Sequence, residues 1–311
     1  VQQKLSPSVI SFPFATRGRR WILKLDPPDK PGLVRNEVFF MQLAARCGLD
    51  VARVHAVTDR EGALGLLVER FDRRRENRRW VGVHQEDACQ LLNRYPADKY
   101  RVSINDVAKA FEQFAAAPTV EVLRLIELVA FSFIVGNGDL HAKNISLLGE
   151  AALQLSPAYD LLSTRPYGDL QLALKIDGRN DKVTRRHFID FGARFRVAPK
   201  AVEVKLDTIV NGVRKTTSQL DELGLEPRRA RQLRELLGME PIWEPGRIAR
   251  LLGLPSKLSQ RQRSDRGKVV SYLFDSVADK RRAMGAGGTY IAKPWRKEIY
   301  IQHEAWPHSV L

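Results

Sequence analysis

The sequence predicts an α+β fold in which a small β-rich lobe is followed by a larger helical lobe and then by a separate C-terminal segment. Residues 20–25 form an apolar run that is typical of a strand and contains one lysine, Lys24. Further along the chain, apolar residues recur at helical spacing in four stretches, 34–46, 85–92, 104–115 and 120–135. The chain has 311 residues, of which 44% are hydrophobic, so it can bury more than one core.

These patterns divide the chain into three segments. Residues 1–71 are expected to form the small lobe, and residues 72–240 the helical lobe. Pro241, Pro245 and Gly246 mark a boundary, after which residues 241–311 form a unit of their own. The first residue is a valine rather than a methionine, so we expect the natural chain to extend upstream.

Hydropathy and cysteine content indicate a cytoplasmic protein. No stretch approaches the roughly 20 uninterrupted apolar residues of a membrane-spanning helix, and no signal peptide is visible. Cys47 and Cys89 lie far apart on predicted helices and are interpreted as reduced core residues, with a single disulfide as the alternative. The expected location is the cytoplasm, extended to the nucleoid if residues 241–311 bind DNA.

The most informative motif is Gly-Asn-Gly-Asp-Leu-His-Ala-Lys-Asn at residues 136–144. Asp139 and Asn144 lie five positions apart on a predicted loop, and Asp160 follows a short predicted hairpin. Phosphoryl transfer needs a carboxylate that receives the hydroxyl proton, and an asparagine with a second carboxylate that holds Mg²⁺. A polar surface loop is the alternative, because glycine, asparagine and aspartate favour turns. That alternative does not explain a carboxylate one hairpin later, so we predict a phosphotransferase.

An upstream lysine and glutamate extend this prediction. Lys24 interrupts an apolar strand, and a strand lysine that faces a nucleotide can pair with phosphate. A solvent-facing lysine on an edge strand is the alternative. The helix predicted over residues 34–46 brings Glu37 near the sheet, and kinases hold their phosphate-binding lysine with a helix glutamate in this order.

Together these residues resemble the HipA-type kinases, which are bacterial serine/threonine protein kinases and often the toxin of a toxin–antitoxin pair. The resemblance covers residues 1–238. It rests on Val1–Ser6, Lys24, Asn36-Glu37, Glu69–Arg73, Val83–Gln90, Gly136–Asn144 and Pro157–Ser163. It implies a two-lobed protein-kinase-like fold, ATP and Mg²⁺ as cofactors, and transfer of phosphate to a serine or threonine.

The resemblance also implies a role for each matching residue. Asp139 would be the catalytic base, Asn144 and Asp160 would bind Mg²⁺, and Lys24, held by Glu37, would contact the α- and β-phosphates. The nucleotide and its phosphates would also be contacted by the hinge backbone Glu69–Phe71, His141, Lys143 and Tyr159, and by Gln2 and Lys4 at the end of the phosphate-covering loop. In the family this loop contains a glycine and an autophosphorylated serine, which lie upstream of the residues matching Val1 and are not among these 311 residues.

The family's usual targets are translation factors, notably aminoacyl-tRNA synthetases. The resemblance therefore implies growth inhibition and a DNA-binding antitoxin partner. Two other functions are open. Gly138–His141 also resembles the catalytic loop of aminoglycoside-type small-molecule kinases, although the His84–Asp87 block argues against that class. The chain could also be a DNA-binding regulator that uses a kinase-like scaffold.

A formal net charge of +15 predicts attraction to polyanions. The last 71 residues carry 13 basic and 6 acidic side chains, so this segment is the most basic part of the chain. A second cluster contains Arg73, Arg74, Arg75, Arg78 and Arg79. We interpret it as a solvated loop, with contact to nucleic acid or an acidic protein as the alternative.

The C-terminal segment has a pattern that the resemblance does not cover. Residues 247–254 resemble the first helix and turn of a helix-turn-helix, with Ala249 and Gly253 four positions apart. Residues 256–266 would form a recognition helix, residues 268–284 a further helix, and residues 289–301 a basic hairpin. The pattern is equally compatible with a winged-helix-like DNA binder and with a helical extension that packs on the large lobe.

Overall fold

The computed structural model describes residues 10–16, 18–169, 171–225, 227–237, 290–293 and 298–301. Its contacts separate the chain into two compact units, Val1–Gly238 and Met239–Leu311. Gln2, Lys4 and the helices predicted over residues 247–284 lie outside the described residues.

The first unit contains nine strands and seven α-helices within the described residues. The strands are β1 (Ile10–Ala15), β2 (Arg20–Leu25), β3 (Val54–Thr58), β4 (Leu64–Glu69), β5 (Arg73–Glu76), β6 (Arg79–Gly82), β7 (Gln85–Asp87), β8 (Ser146–Leu148) and β9 (Gln154–Leu155). The helices are α1 (Leu33–Arg46), α2 (Ala88–Leu91), α3 (Ile104–Phe114), α4 (Pro118–Val135), α5 (Arg185–Arg194), α6 (Pro199–Thr216) and α7 (Pro227–Leu236).

The small lobe is an antiparallel sheet, ordered β1-β2-β4-β3, with α1 packed against β3 and β4. Its predicted strand and helix are confirmed, since β2 and α1 match the predicted ranges to within one residue. The Asp26 carboxylate accepts hydrogen bonds from the Gly32 and Val34 amides, which satisfies amide groups where α1 begins. Phe40 and Met41 are fully buried, so α1 is anchored by its apolar face.

The arginine cluster after the small lobe is not a loop, so that interpretation was wrong. Strands β5 and β6 pair in register from Arg73–Gly82 to Glu76–Arg79. Asn77 and Arg78 both have positive φ, 45° and 66°, as a two-residue turn that matches the strand twist requires. The side chains of this hairpin are mostly exposed.

The helical lobe is built around α4, which α3, α5 and α6 all contact. The helices predicted over residues 104–115 and 120–135 are confirmed as α3 and α4. Helix α6 also approaches α1 closely. A Cβ atom at Gly212 would lie 2.5 Å from the Cys47 sulfur. Both cysteines are buried and free.

The helix predicted over residues 85–92 is wrong at its start. Gln85–Asp87 is a strand that pairs with β8, and only Ala88–Leu91 is helical. Asp87 causes the change, because its carboxylate accepts the Gln90 amide and caps the first turn. Strand β8 also pairs with β9, which confirms the predicted hairpin before Asp160.

Among the described residues, no helix combines the length and apolarity that crossing a membrane requires. In the second unit, Tyr290–Lys293 and Glu298–Ile301 form an antiparallel strand pair, as predicted for the basic hairpin. The remainder of that unit lies outside the described residues.

Candidate active site

The centre of the site is an ion-paired triad that joins the two lobes of the first unit. Lys24 on β2 lies 2.6 Å from a Glu37 carboxylate oxygen on α1. The same ammonium lies 2.8 Å from an oxygen of Asp160, which follows the β8–β9 hairpin. The Lys24 and Glu37 side chains are 12% and 1% exposed, so this pair is largely shielded from water, whereas the Asp160 side chain is 29% exposed.

Electrostatics keep Lys24 charged. Burial alone would lower the pKa of Lys24, but Asp160 and Glu37 raise it above its ordinary value. Burial would also raise the pKa of Asp160, but Lys24 holds it below the usual range. Asp160 therefore remains a carboxylate. Its φ of 60° is a left-handed conformation that aspartate tolerates better than most residues.

The loop that carries Asp139 is held by local hydrogen bonds. Helix α4 ends at Gly136, whose φ of 69° turns the chain into the loop. The Gly138 amide donates to the Thr164 hydroxyl at 2.8 Å, and the Asp139 amide donates to the Asn137 side chain at 3.0 Å. The side-chain amide nitrogen of Asn144, Nδ2, donates to the backbone carbonyl of Asp139 at 3.0 Å. The predicted base and the predicted metal-binding asparagine are therefore adjacent.

Asp139 has the environment of a general base. Its side chain is buried, and Oδ1 accepts a hydrogen bond from the Tyr100 hydroxyl at 2.6 Å. Burial raises the pKa of Asp139 to about 6, with Asp160 adding to the rise and Tyr100 opposing it. A base with this pKa is ionised at neutral pH and remains basic enough to accept a proton.

His141 lies on the same loop and packs edge-on against Tyr100, with ring centroids 5.3 Å apart. Burial and the nearby charge of Lys99 lower the pKa of His141 to about 4, so its imidazole is neutral at pH 7. Its Nδ1 atom is buried and has no hydrogen-bond partner among the described residues. A neutral imidazole can donate or accept a hydrogen bond but cannot supply a positive charge to a phosphate.

Lys143 has a partner that the sequence did not reveal. Its ammonium lies 2.6 Å from the Asp87 carboxylate, the group that also caps α2. This pair connects the Val83–Gln90 block to the catalytic loop. In this structure Lys143 is therefore paired with Asp87.

The predicted hinge and Tyr159 are also brought together. The rings of Phe71 and Tyr159 have centroids 5.6 Å apart. The Tyr159 hydroxyl donates to the Lys143 carbonyl at 2.8 Å, and burial raises the pKa of this phenol, so it stays protonated. The Glu69 carboxylate pairs with Arg19 at 3.1 Å.

The donor set fits Mg²⁺. Asp160 offers carboxylate oxygens, and Asn144 has committed its amide nitrogen to Asp139, which leaves its amide oxygen as a ligand. Magnesium prefers oxygen ligands of these kinds. Burial raises the pKa of Glu37 to about 7, whereas Lys24 keeps the pKa of Asp160 low, so Asp160 is the carboxylate of the triad that is fully ionised at neutral pH and can bind a cation.

Helix α1 and the segment that follows it are bonded to the chain on the two sides of Asp160. The Asn36 side chain donates to the Ser163 carbonyl at 3.0 Å and accepts the Ser163 amide at 2.8 Å. After the helix, the Ala52 amide donates to the Ala158 carbonyl, and the Ala158 amide donates to the Asp50 carbonyl. Glu37 and Asp160, the predicted metal-binding carboxylate, are therefore held by one hydrogen-bonded frame.

Residues 1–218 match the model of the HipA-like C-terminal domain. This chain belongs to that family. Its fold is the kinase-like fold of the HipA protein in a solved complex of Shewanella oneidensis HipA, HipB and operator DNA. That HipA chain superimposes with a TM-score of 0.61 at 24% identity, over 82% of this chain and 67% of its own length.

Two curated relatives share part of this HipA-like sequence. A Sinorhizobium fredii protein, Y4mE, which carries a provisional kinase name, is 38% identical over 178 residues, covering 55% of this chain and 42% of its own length. The serine/threonine-protein kinase toxin HipA of Shewanella oneidensis is 33% identical over 169 residues, which cover 48% of this chain and 39% of that protein. The chain spans two fifths to a half of the length of the curated relatives it matches.

Three residues at this HipA-like site were missed from the sequence. Tyr100 and Asp87 lie 39 and 56 positions from their partners in the catalytic loop, and Asn36 lies 127 positions from Ser163. Asp87 and Asn36 belong to blocks that carry the resemblance, which was a usable signal. Tyr100 belongs to none of those blocks, and no local sequence pattern indicates its contact with Asp139.

Proposed function

We propose that this chain is the catalytic part of an ATP-dependent serine/threonine protein kinase of the HipA type. The observation that carries the proposal is the ammonium of Lys24, bound to Glu37 at 2.6 Å and to Asp160 at 2.8 Å. A strand lysine, a helix glutamate and a metal-binding aspartate in these relations are the parts that phosphoryl transfer by kinases requires.

Each residue has a proposed role in transfer. Lys24 binds phosphate oxygens and is held by Glu37, while Asp139 orients the acceptor hydroxyl and takes its proton. Asn144 and Asp160 hold Mg²⁺, which when bound neutralises charge on the triphosphate. The backbone of Glu69–Phe71 and the ring of Tyr159 contact the nucleotide. Lys143 and His141 lie beside the phosphates, with Lys143 first released from Asp87, and Gln2 and Lys4 belong to the covering loop.

The proposed biological role follows from the family. The chain would act in the cytoplasm as part of a growth-inhibiting toxin whose substrate is a translation factor such as an aminoacyl-tRNA synthetase. The Shewanella oneidensis HipA complex contains HipB and operator DNA, which supports an antitoxin partner here. Residues 1–71 would cover the nucleotide, and residues 72–240 would carry the catalytic loop. Residues 241–311 would contact DNA directly.

The test is transfer of radiolabelled γ-phosphate from ATP and Mg²⁺ into whole bacterial lysate. Wild type, Asp139→Asn and Asp190→Asn are compared in parallel. Asp190 is a matched control because it is a surface residue that pairs with Arg186 on its own helix. We expect one or a few labelled proteins with wild type and Asp190→Asn, and labelling reduced at least about 1,000-fold with Asp139→Asn.

The other functions give different results. Labelling of small molecules without any labelled protein would favour a small-molecule phosphotransferase. No labelling of any kind, together with retained DNA binding, would favour a regulator with a kinase-like scaffold. Equal labelling by wild type and Asp139→Asn would contradict the assignment of the base.

A further inference from the structure

The backbone hydrogen bonds of Asp139 do not restrict the rotation of its carboxylate group. Its amide donates to Asn137, and its carbonyl accepts from the His141 amide at 2.7 Å and from Asn144. These bonds fix the main chain but leave the carboxylate torsion free, and that torsion is intrinsically broad and two-fold. A base whose two oxygens can exchange places does not hold an acceptor hydroxyl in one orientation.

Tyr100 is the group that restricts this torsion. Its hydroxyl donates to Oδ1 of Asp139 at 2.6 Å, a short distance typical of a hydrogen bond to a carboxylate. We propose that Tyr100 is a positioning residue that locks the Asp139 carboxylate through Oδ1, so that Oδ2 is the oxygen that receives the acceptor's proton. This inference rests on the proposed kinase function and adds a residue to it.

The tyrosine is itself held in place by the catalytic loop. Its ring packs edge-on against His141, and the Lys99 ammonium lies 5.0 Å from the ring centroid. The Ala142 amide donates to the Lys99 carbonyl at 3.0 Å, which ties this segment to the loop. The Tyr100 hydroxyl and the carboxylate it orients therefore belong to one rigid arrangement, which is what a positioning group requires.

The test uses Tyr100→Phe, which removes the hydroxyl and keeps the ring contacts with His141 and Lys99. Tyr95→Phe is the matched control, because Tyr95 lies five residues away and is 79% exposed. We expect Tyr100→Phe to lower kcat for protein phosphorylation about 10- to 100-fold, since loss of orientation at a reacting group has effects of this size. KM and Kd for ATP should stay unchanged. The thermal unfolding temperature should fall slightly at neutral pH, because the buried Asp139 carboxylate loses its hydrogen-bond donor.

The outcomes separate this inference from the proposed function. A wild type that phosphorylates no protein would end both. An active wild type with unchanged kcat in Tyr100→Phe would overturn only the role of Tyr100. So would a variant whose ATP affinity falls in proportion to its turnover, because the hydroxyl would then support the nucleotide site as a whole. Tyr100→Leu, which removes the ring as well, should lower both kcat and the unfolding temperature.

Discussion

The buried environment of Asp139 raises its pKa, which suits the proposed role as a base, but the same burial opposes folding. Burial raises the pKa of this carboxyl to about 6, so the folded protein holds a carboxylate that would be more stable in water. The Tyr100 hydrogen bond recovers part of that cost. This residue is therefore a site where function and stability conflict.

We predict that Asp139→Asn stabilises the protein at pH 8 by about 1–3 kcal/mol. The folded pKa lies above the unfolded value, so ionisation destabilises the folded state above about pH 6. The gain should shrink as the pH falls from 6 toward 4, where the wild-type carboxyl becomes protonated in the folded state. Urea unfolding at pH 8 and pH 5 measures it, with Asp190→Asn as control. A stability loss at pH 8 would contradict the prediction.

Residue identity could be predicted where a motif carries it. Asp139, Asn144 and Asp160 were proposed as site residues because they share a loop and the hairpin after it, and Lys24 with Glu37 because strand and helix follow each other. Tyr100 could not be found this way, since a tyrosine has no local pattern that indicates a partner 39 positions away. The Lys143–Asp87 pair was not predicted either, because its partners are 56 positions apart, and only the family resemblance implied that Lys143 lies beside the phosphates.

At the level of elements, long periodic helices were predicted well and short segments were not. The periods of α1, α3 and α4 extend over three or more turns, so their apolar faces are distinctive. Residues 85–92 contain barely two turns, and a strand followed by a capped turn gives the same apolar spacing. The arginine cluster forms a hairpin because its two strands pair across a two-residue turn. The arginine-rich composition of this segment did not indicate that pairing.

Helix α1 gives the prediction at this scale. Asn36→Ala should lower the free energy of unfolding by about 2–4 kcal/mol, because it leaves the Ser163 amide and carbonyl buried without their partner. Kinase activity should fall as well, since α1 carries Glu37. Gln42→Ala is the matched control, an exposed amide on the same helix. Urea unfolding measures the stability of both variants. If Asn36→Ala were as stable as Gln42→Ala, the Asn36–Ser163 bonds would not be needed for stability.

For the whole molecule, charge is the property that composition determines most directly. We predict that the full chain binds random-sequence duplex DNA and that the affinity falls at least about tenfold between roughly 50 and 200 mM salt. The cause is a net charge of +15, concentrated in residues 241–311. Electrophoretic mobility shift at increasing salt measures the effect.

Two charge-removal variants show which segment is responsible. Each replaces four basic residues with glutamine, in one case Lys257, Arg261, Arg263 and Arg266, and in the other Arg74, Arg75, Arg78 and Arg79. We expect the first set to reduce the salt dependence by roughly one unit of slope for each DNA phosphate that is no longer neutralised, and the second to have a smaller effect. A larger effect of the second set would assign DNA binding to the β5–β6 hairpin.

The hydrogen-bonded frame between α1 and the Asp160 segment has a consequence for inhibition. Many kinases are controlled by moving the equivalent helix away from the lysine. Here a compound that displaced α1 would have to break the two hydrogen bonds between Asn36 and Ser163, each worth about 0.5–1.5 kcal/mol net. A compound that competes for the proposed hinge at Glu69–Phe71 meets no such cost. Selective inhibitors should therefore be sought among hinge binders shaped to fit the Phe71–Tyr159 contact.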